Sequence, residues 1–286
     1  MKVAYFPGCS LHSTGIEFDI SVREVCKALG IELQEIEGWV CCGATSAHAT
    51  NHLLSLALPA YSLALAERMD VEDVVAPCAA CFNRLKHTEV LCRDEETFKK
   101  VKELLPIPWE NRLRVRNLLD IFSEMLDEIK SKVKNPLSDL KLASYYGCLL
   151  LRPPHICQFD NPENPQTMDE LLKALGAQVV DWAFKTECCG ANLTIPRSDL
   201  VVELTYRILK SAKSAGADAI VTACPFCHLN LDARQADIHR VKGEIFNIPI
   251  LYFTQVVGLA LGIPAKKLGL NRHLVSPFLI PALRRR

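Results

Sequence analysis

Ten cysteines in this chain fall into two sets with the same internal order. The first is Cys9, then the adjacent pair Cys41-Cys42 before Gly43, then Cys78-Ala-Ala-Cys81. The second is Cys148, then Cys188-Cys189 before Gly190, then Cys224-Pro-Phe-Cys227. Both cysteines of the CxxC motif recur at an offset of 146, and both members of the pair at 147. The tetrapeptide KALG also recurs at 146, at 27–30 and 173–176. Only Cys9 and Cys148 break register, at 139, so the second half carries seven extra residues between its leading cysteine and its KALG segment. A repeat of this length makes the half, rather than the whole chain, the unit of folding.

Each half reads as alternating strands and helices. KVAYFP is an apolar run that stops at Gly8-Cys9 and fits a strand. FDISVREVCKAL has helical spacing and stops at Gly30, a residue suited to a left-handed C-cap. Its counterpart PQTMDELLKAL carries a capping-box pattern from Thr167 to Glu170. IELQEI and AQVVDWA fit second strands. Helices follow each CCG, and the short strands DVVAP and AIVTA end in the CxxC motifs, with further helix beyond. The pattern implies α/β layers around small, mostly parallel sheets. The expected organisation is an N-terminal domain over 1–95, a charged helical linker over 96–137, and a C-terminal domain over 138–286.

The 286 residues suffice for a sizeable core, and 33 basic residues balance 33 acidic ones. That balance points away from nucleic acid. The start MKVAYFPGC lacks a secretory h-region, and the apolar stretches 53–66 and 250–265 are too short and too interrupted for a membrane span. A cytoplasmic protein without a membrane span is expected. Thirteen cysteines in a reducing compartment point to metal or redox chemistry rather than a disulfide framework.

Four chemistries compete for the CxxC motifs. A zinc ribbon closes two such pairs about 15–20 residues apart, whereas these stand 146 apart. A thioredoxin-like dithiol suits a strand–CxxC–helix junction, where the helix N-terminus lowers a thiol pKa. It leaves Cys9, Cys41 and Cys42 without a task. Cys224-Pro-Phe-Cys227-His228 matches the CxxCH haem pattern, but Phe82 stands where the first half would need the histidine. An iron–sulfur centre in each half uses all the thiols, because thiolates are the usual cluster ligands. Helix N-termini favour its negative charge. Gly43 and Gly190 allow close backbone approach or positive φ, and Pro225 suits a first helical position. A cubane cluster takes four thiolates and each half offers five. Adjacent thiolates cannot readily reach opposite corners of a cube, so the count favours an unusual cluster whose geometry the sequence leaves open.

This pattern resembles the cysteine-rich CCG domain. Two copies at this length, with YYGC148LLLRP and ACPFCHLNLDARQ, resemble the B subunit of heterodisulfide reductase across almost the whole chain. The resemblance implies an α/β fold of two duplicated CCG domains and one non-cubane [4Fe-4S] cluster in each. Cys9, Cys41, Cys42, Cys78 and Cys81 would hold one cluster. Cys148, Cys188, Cys189, Cys224 and Cys227 would hold the other. It further implies a small-molecule disulfide, in methanogens the mixed disulfide of coenzymes M and B, cleaved between the clusters. The implied partners are the ferredoxin-like iron–sulfur C subunit and the flavin-containing A subunit of such a complex. Splitting a disulfide takes two electrons, which two facing one-electron centres supply together. Cys81, Cys227 and His228 are the residues expected to act in catalysis, His228 by donating a hydrogen bond or a proton. CCG domains also occur in proteins that link dehydrogenases for lactate, glycolate, glycerol phosphate or succinate to an acceptor. A non-catalytic electron-transfer or docking role is therefore the alternative.

Among the remaining residues, Cys26 is expected in the core, and Cys92 and Cys157, which lack partners in the repeat, are expected to be structural. Arg152 and His155 follow Cys148 and are candidates to contact a substrate carboxylate or phosphate. His12, His48 and His52 have no equivalents in the second half. The arm HLVSPFLIPALRRR either contacts a partner or packs on its own domain.

Overall fold

The computed structural model of the chain describes residues 1–45 and 47–285, the last without its side chain. The first half runs β1 (Lys2–Tyr5), α1 (Gly8–Leu11), α2 (Ile16–Leu29), β2 (Glu32–Glu35), α3 (Ala47–Thr50), α4 (His52–Ala66), β3 (Asp73–Val75), α5 (Ala79–Leu91), α6 (Glu95–Lys102), β4 (Arg114–Arg116), α7 (Leu118–Glu124) and α8 (Leu126–Ser131). The second runs β5 (Lys141–Tyr145), α9 (Pro154–Cys157), α10 (Thr167–Ala174), β6 (Gln178–Val179), α11 (Ser198–Ser214), β7 (Ala219–Thr222), α12 (Pro225–Lys242), β8 (Ile250–Tyr252) and α13 (Phe253–Ala260), followed by short 3-10 turns.

The halves form two four-stranded sheets, ordered β2-β1-β3-β4 and β6-β5-β7-β8, with every neighbouring pair parallel. β3 and β7 are buried at every residue, as strands covered by helices on both faces must be. Gly30 ends α2 at φ 74° and donates its N–H to the carbonyls of Cys26 and Lys27. That is the left-handed cap its position in KALG implies.

Two expectations change. The stretch 96–137, expected as a helical linker, is largely helical but also contains β4, which pairs with β3 and completes the first sheet. It holds the counterparts of β8 and α13, so it belongs to the repeat. The capping box from Thr167 to Glu170 does not form. Asp160 instead accepts hydrogen bonds from Gln166 N–H (2.8 Å), Thr167 N–H (2.8 Å) and the Thr167 hydroxyl (2.7 Å). A carboxylate satisfies these free N–H groups at a helix start better than a hydroxyl does.

The halves meet through a reciprocal clasp. α2 of the first half packs on α13 of the second, and α10 of the second packs on α7 of the first. These are the same two elements exchanged, which is how a pseudo-twofold interface is built. Phe18 stacks on Tyr252 at 4.1 Å between ring centroids, Phe122 meets Phe253 edge-on at 5.6 Å, and the Ser21 and Thr254 hydroxyls are 2.6 Å apart. Among the described residues, no helix is long and apolar enough to cross a membrane.

Candidate metal centre

All ten cysteines lie beyond the carboxyl ends of strands. Cys9 sits in α1 just after β1, Cys41 and Cys42 follow β2, and Cys78 caps α5 directly after β3. In the order β2-β1-β3-β4 the connections diverge between β1 and β3. Open parallel sheets bind ligands at such a switch point. The second half repeats this with Cys148 after β5, the Cys188-Cys189 pair after β6 and Cys224 capping α12 after β7. Pro225 occupies the first helical position there, as expected.

Within each set the sulfurs approach in a chain. Cys42 Sγ lies 3.4 Å from Cys81 Sγ, Cys189 Sγ 3.5 Å from Cys227 Sγ, and Cys148 Sγ 3.9 Å from Cys188 Sγ. The Gly43 and Gly190 N–H groups donate to the Sγ of Cys41 (3.5 Å) and Cys188 (3.3 Å). Both glycines take positive φ, 72° and 78°, which turns these N–H groups toward sulfur. Cys9, Cys41 and Cys188 are exposed, while Cys42, Cys78, Cys81, Cys189, Cys224 and Cys227 are buried. The two buried edges meet, and the Cys78 and Cys224 thiols shift each other's ionisation across the halves. Ala79 and Ala80 of the first CxxC also line the pocket that contains Cys148, Cys188 and Cys224.

Thiol hydrogen bonds divide the titration of these groups. Accepting one from Cys148 pulls Cys188 down to about 6, against the cost of burial. Cys42 and Cys224 are lowered for the same reason, by Cys41 and Cys227 first. Their donors, together with Cys78 and Cys81, are held above the ordinary thiol range. Packed thiols thus share protons, because neighbouring thiolates repel. A cationic iron core would remove that conflict and let all five ionise.

The surroundings fit such a core. A Cβ built on Gly8 would lie 2.6 Å from Cys81 Sγ, and one on Gly147 3.1 Å from Cys227 Sγ, and both residues take positive φ, 71° and 66°. The turn before each leading cysteine therefore reaches the CxxC sulfur only because it carries no side chain. Sulfurs around one tetrahedral zinc stand about 3.8 Å apart, from a Zn–S bond of about 2.3 Å. Among the described residues, the trio of ligand-type groups mutually within 4.8 Å is His228, Asp232 and His273, with no three cysteines that close. The thiols suit a polynuclear core better than a single ion.

His228 and Asp232 have another task. His228 is buried, stacks on Tyr252 at 4.3 Å, and places Nε2 3.0 Å from both the Ile250 carbonyl and His273 Nδ1. Burial, then His273, pushes its pKa well below the usual range, so the ring is neutral. Asp232 accepts the N–H groups of Leu274 (2.8 Å) and Val275 (2.9 Å). Together they fasten the C-terminal arm, whose Ile280 and Leu283 are buried and whose Leu274 is exposed. Arg286 and the Arg285 side chain, part of the arm's terminal arginine run, lie outside the described residues.

Arg152 bonds to the Pro162 carbonyl (3.0 Å) and Glu163 (3.1 Å), so its charge is engaged in its own loop, and His155 is exposed. Cys26, Cys92 and Cys157 are buried, and burial raises Cys26 and Cys92 to about 12 and Cys157 to about 11. Sequence reasoning passed over Asn83. Its buried Nδ2 reaches from α5 to the carbonyls of Leu149 (2.9 Å) and Arg152 (2.8 Å) and to Cys157 Sγ (3.3 Å). A polar residue two places beyond Cys81 was its only signal. His12 pairs with Glu35 at 3.2 Å.

Residues 3–86 and 142–232 match the family described as cysteine-rich domain, CCG. The chain belongs to that family. This CCG protein is 38% identical to the 8-methylmenaquinol:fumarate reductase membrane anchor subunit of Wolinella succinogenes, over 96% of its own length and 97% of that protein's. It is 29% identical to the B subunit of the ferredoxin/F420H2-dependent CoB-CoM heterodisulfide reductase of Methanosarcina acetivorans, over 96% and 94%. In fold, it matches a hypothetical protein from Helicobacter pylori with a TM-score of 0.79 at 16% identity, covering 96% of this chain but only about half, 52%, of that one.

Proposed function

We propose that each cysteine set holds one non-cubane [4Fe-4S] cluster, and that the chain is the component of a heterodisulfide reductase-like complex in which a disulfide is cleaved to two thiols. One observation carries the reading: two complete five-cysteine sets sit at matching switch points, and Ala79 and Ala80 of the first CxxC motif line one pocket with Cys148, Cys188, Cys224 and Cys227 of the second set. When bound, the clusters supply electrons one at a time. The reaction consumes two electrons and two protons and yields two thiols. The chain's own residues hold the thiols in place and keep water from the inner edge. Cys81 and Cys227 are the deep ligands beside the glycine turns. His228 has its Nε2 engaged and its ring neutral, so we assign it to positioning the CxxC helix against β8. The ferredoxin-like C subunit and the flavin-containing A subunit of such a complex are the proposed electron suppliers.

The test is anaerobic purification followed by iron and sulfide analysis, then turnover of candidate disulfides with a one-electron dye. About eight irons per chain and thiol release are expected. Iron-free protein sinks the cluster reading. Iron-loaded protein that leaves every disulfide intact sinks the reductase reading alone.

A second reading rests on the 38% identity to a quinol:fumarate reductase component. In it the same two centres pass electrons between a quinol and a dehydrogenase. Quinol-dependent reduction of the clusters, with no disulfide turnover, would select this alternative.

A further inference from the structure

The repeat allows the two seats to be compared position by position. The offset of 146 that carries Cys81 onto Cys227 also carries Arg84 onto Asn230, one helical turn beyond each CxxC motif. Asn230 is buried and neutral. Its Nδ2 donates to the Cys189 carbonyl at 3.1 Å and lies 3.8 Å from Cys189 Sγ, and its Oδ1 accepts from the Thr194 hydroxyl at 2.9 Å.

Arg84 is a half-buried cation. Its guanidinium donates to Asn83 Oδ1 at 2.7 Å and stands 3.2 Å from His87 Nδ1. Neither neighbour supplies negative charge, since burial first and Arg84 second push His87 down to about 4. Arg84 forms no ion pair with a carboxylate among the described residues. Burial disfavours its charge most, and the sulfurs of Cys42 and then Cys157 favour it. Cys42 is the repeat equivalent of Cys189, the cysteine that Asn230 faces. Removing a cation from water without an acidic partner is costly, so such residues stand where an anion balances them.

We propose that Arg84 is an electrostatic tuning residue: its fixed charge one helical turn beyond Cys81 gives the first-half iron–sulfur centre a higher reduction potential than the second-half centre, where neutral Asn230 takes its place. The inference rests on the reading that each seat holds a cluster. Adding an electron makes an anionic centre more negative, and a nearby cation favours that form. The Asn230 contact to sulfur acts in the same direction but is long and uncharged, and charge-assisted contacts are roughly twice as strong as neutral ones. An electron from a one-electron donor therefore rests first on the first-half centre. The pair is ordered rather than equivalent.

The test is a redox titration, followed by electron paramagnetic resonance, of anaerobically prepared wild type and the variants R84Q, R84K and N230R, with iron content measured alongside. Wild type is expected to show two separated midpoints. R84Q should lower the higher one, changing the ratio of reduced to oxidised centre at a fixed potential about tenfold, or 59 mV for one electron. R84K should restore most of that shift, and N230R should raise the lower midpoint. Loss of iron from R84Q but not from R84K also supports the charge argument. Iron-loaded R84Q with unmoved midpoints overturns the proposal, as does equal loss of iron from R84Q and R84K. Iron-free wild type overturns instead the cluster reading beneath it.

Discussion

In the first half Phe82 follows Cys81 and Arg84 comes two residues later. In the second, His228 follows Cys227 and Asn230 stands where the arginine would be. Just before the leading cysteines, Phe6 corresponds to Tyr145, whose hydroxyl donates to the Glu187 carbonyl at 2.7 Å. The ten cysteines keep matching places after the strands while the side chains behind them differ in charge and hydrogen bonding. The backbone frame decides what can be bound, because it sets where strands end and where glycines leave space. The neighbours decide how each bound group behaves. Two copies of one site in one chain are thus not two equal sites.

The glycine turns give the largest expected break in that comparison. G8A puts a Cβ 2.6 Å from Cys81 Sγ, whereas G147A leaves 3.1 Å to Cys227 Sγ, at similar positive φ. G8A should lose about half the iron, the share of one of two four-iron centres, and G147A should lose less. Iron analysis reads this directly, and equal losses would mean that backbone conformation rather than clearance sets the limit.

The clasp comes next. Phe18 is fully buried against Tyr252, while on the reciprocal side the fully buried Met168 occupies the repeat position of Val22. F18A should cost about 3–5 kcal/mol and M168A about 2–5 kcal/mol, with F18A the larger. Urea unfolding midpoints measure both, and a larger loss in M168A would place the stronger grip on the other side.

Asn83 reaches across the halves in one direction only, since Leu229 takes its place in the repeat. N83A takes its donor from the Arg152 carbonyl and leaves the Leu149 carbonyl with the longer Cys157 thiol contact at 3.7 Å, and should cost about 1–3 kcal/mol. Faster proteolysis in the loop after Cys148 is the accompanying readout. Unchanged stability and unchanged proteolysis would make the contact incidental.

The last effect is a pH slope that His273 shares with His87 of the first half and the buried His228. Burial lowers His273 to about 4, so the unfolded chain takes up its proton first as acid is added. This contribution to stability is intact above about pH 6.5 and falls as pH drops toward 4, by at most about 1.4 kcal/mol per unit and less for a partly exposed ring. H273Q should flatten the slope between pH 7 and pH 5 in unfolding midpoints. A slope as steep as wild type would assign the proton elsewhere.

Much of this was legible in the sequence. The first and third strands of each half could be read because they are apolar and run up to a cysteine motif, and Gly30 marked its helix end. β4 and β8 could not. Arg114–Arg116 is three residues with charges at both ends, and Ile250–Tyr252 merges into the apolar run of α13, so neither has a period of its own. Their strand character comes from pairing with β3 and β7. Asp160 as the cap of α10 lay too far upstream for a local pattern to reveal. The meeting of the two CxxC regions was hidden for another reason: a repeat says that two halves match, but not which edges meet. Arg84 and Asn230 were visible as letters, yet their meaning required knowing that Asn230 faces the second cysteine of an adjacent pair.

The exchanged clasp, with α2 on α13 and α10 on α7, has a consequence for divergence. Two separate copies of one half, joined about the same axis, would come from a single coding segment, and every substitution would appear on both sides at once. Covalent continuity lifts that restriction. An arginine can be fixed on one side while an asparagine remains on the other, and a symmetric assembly gains a direction.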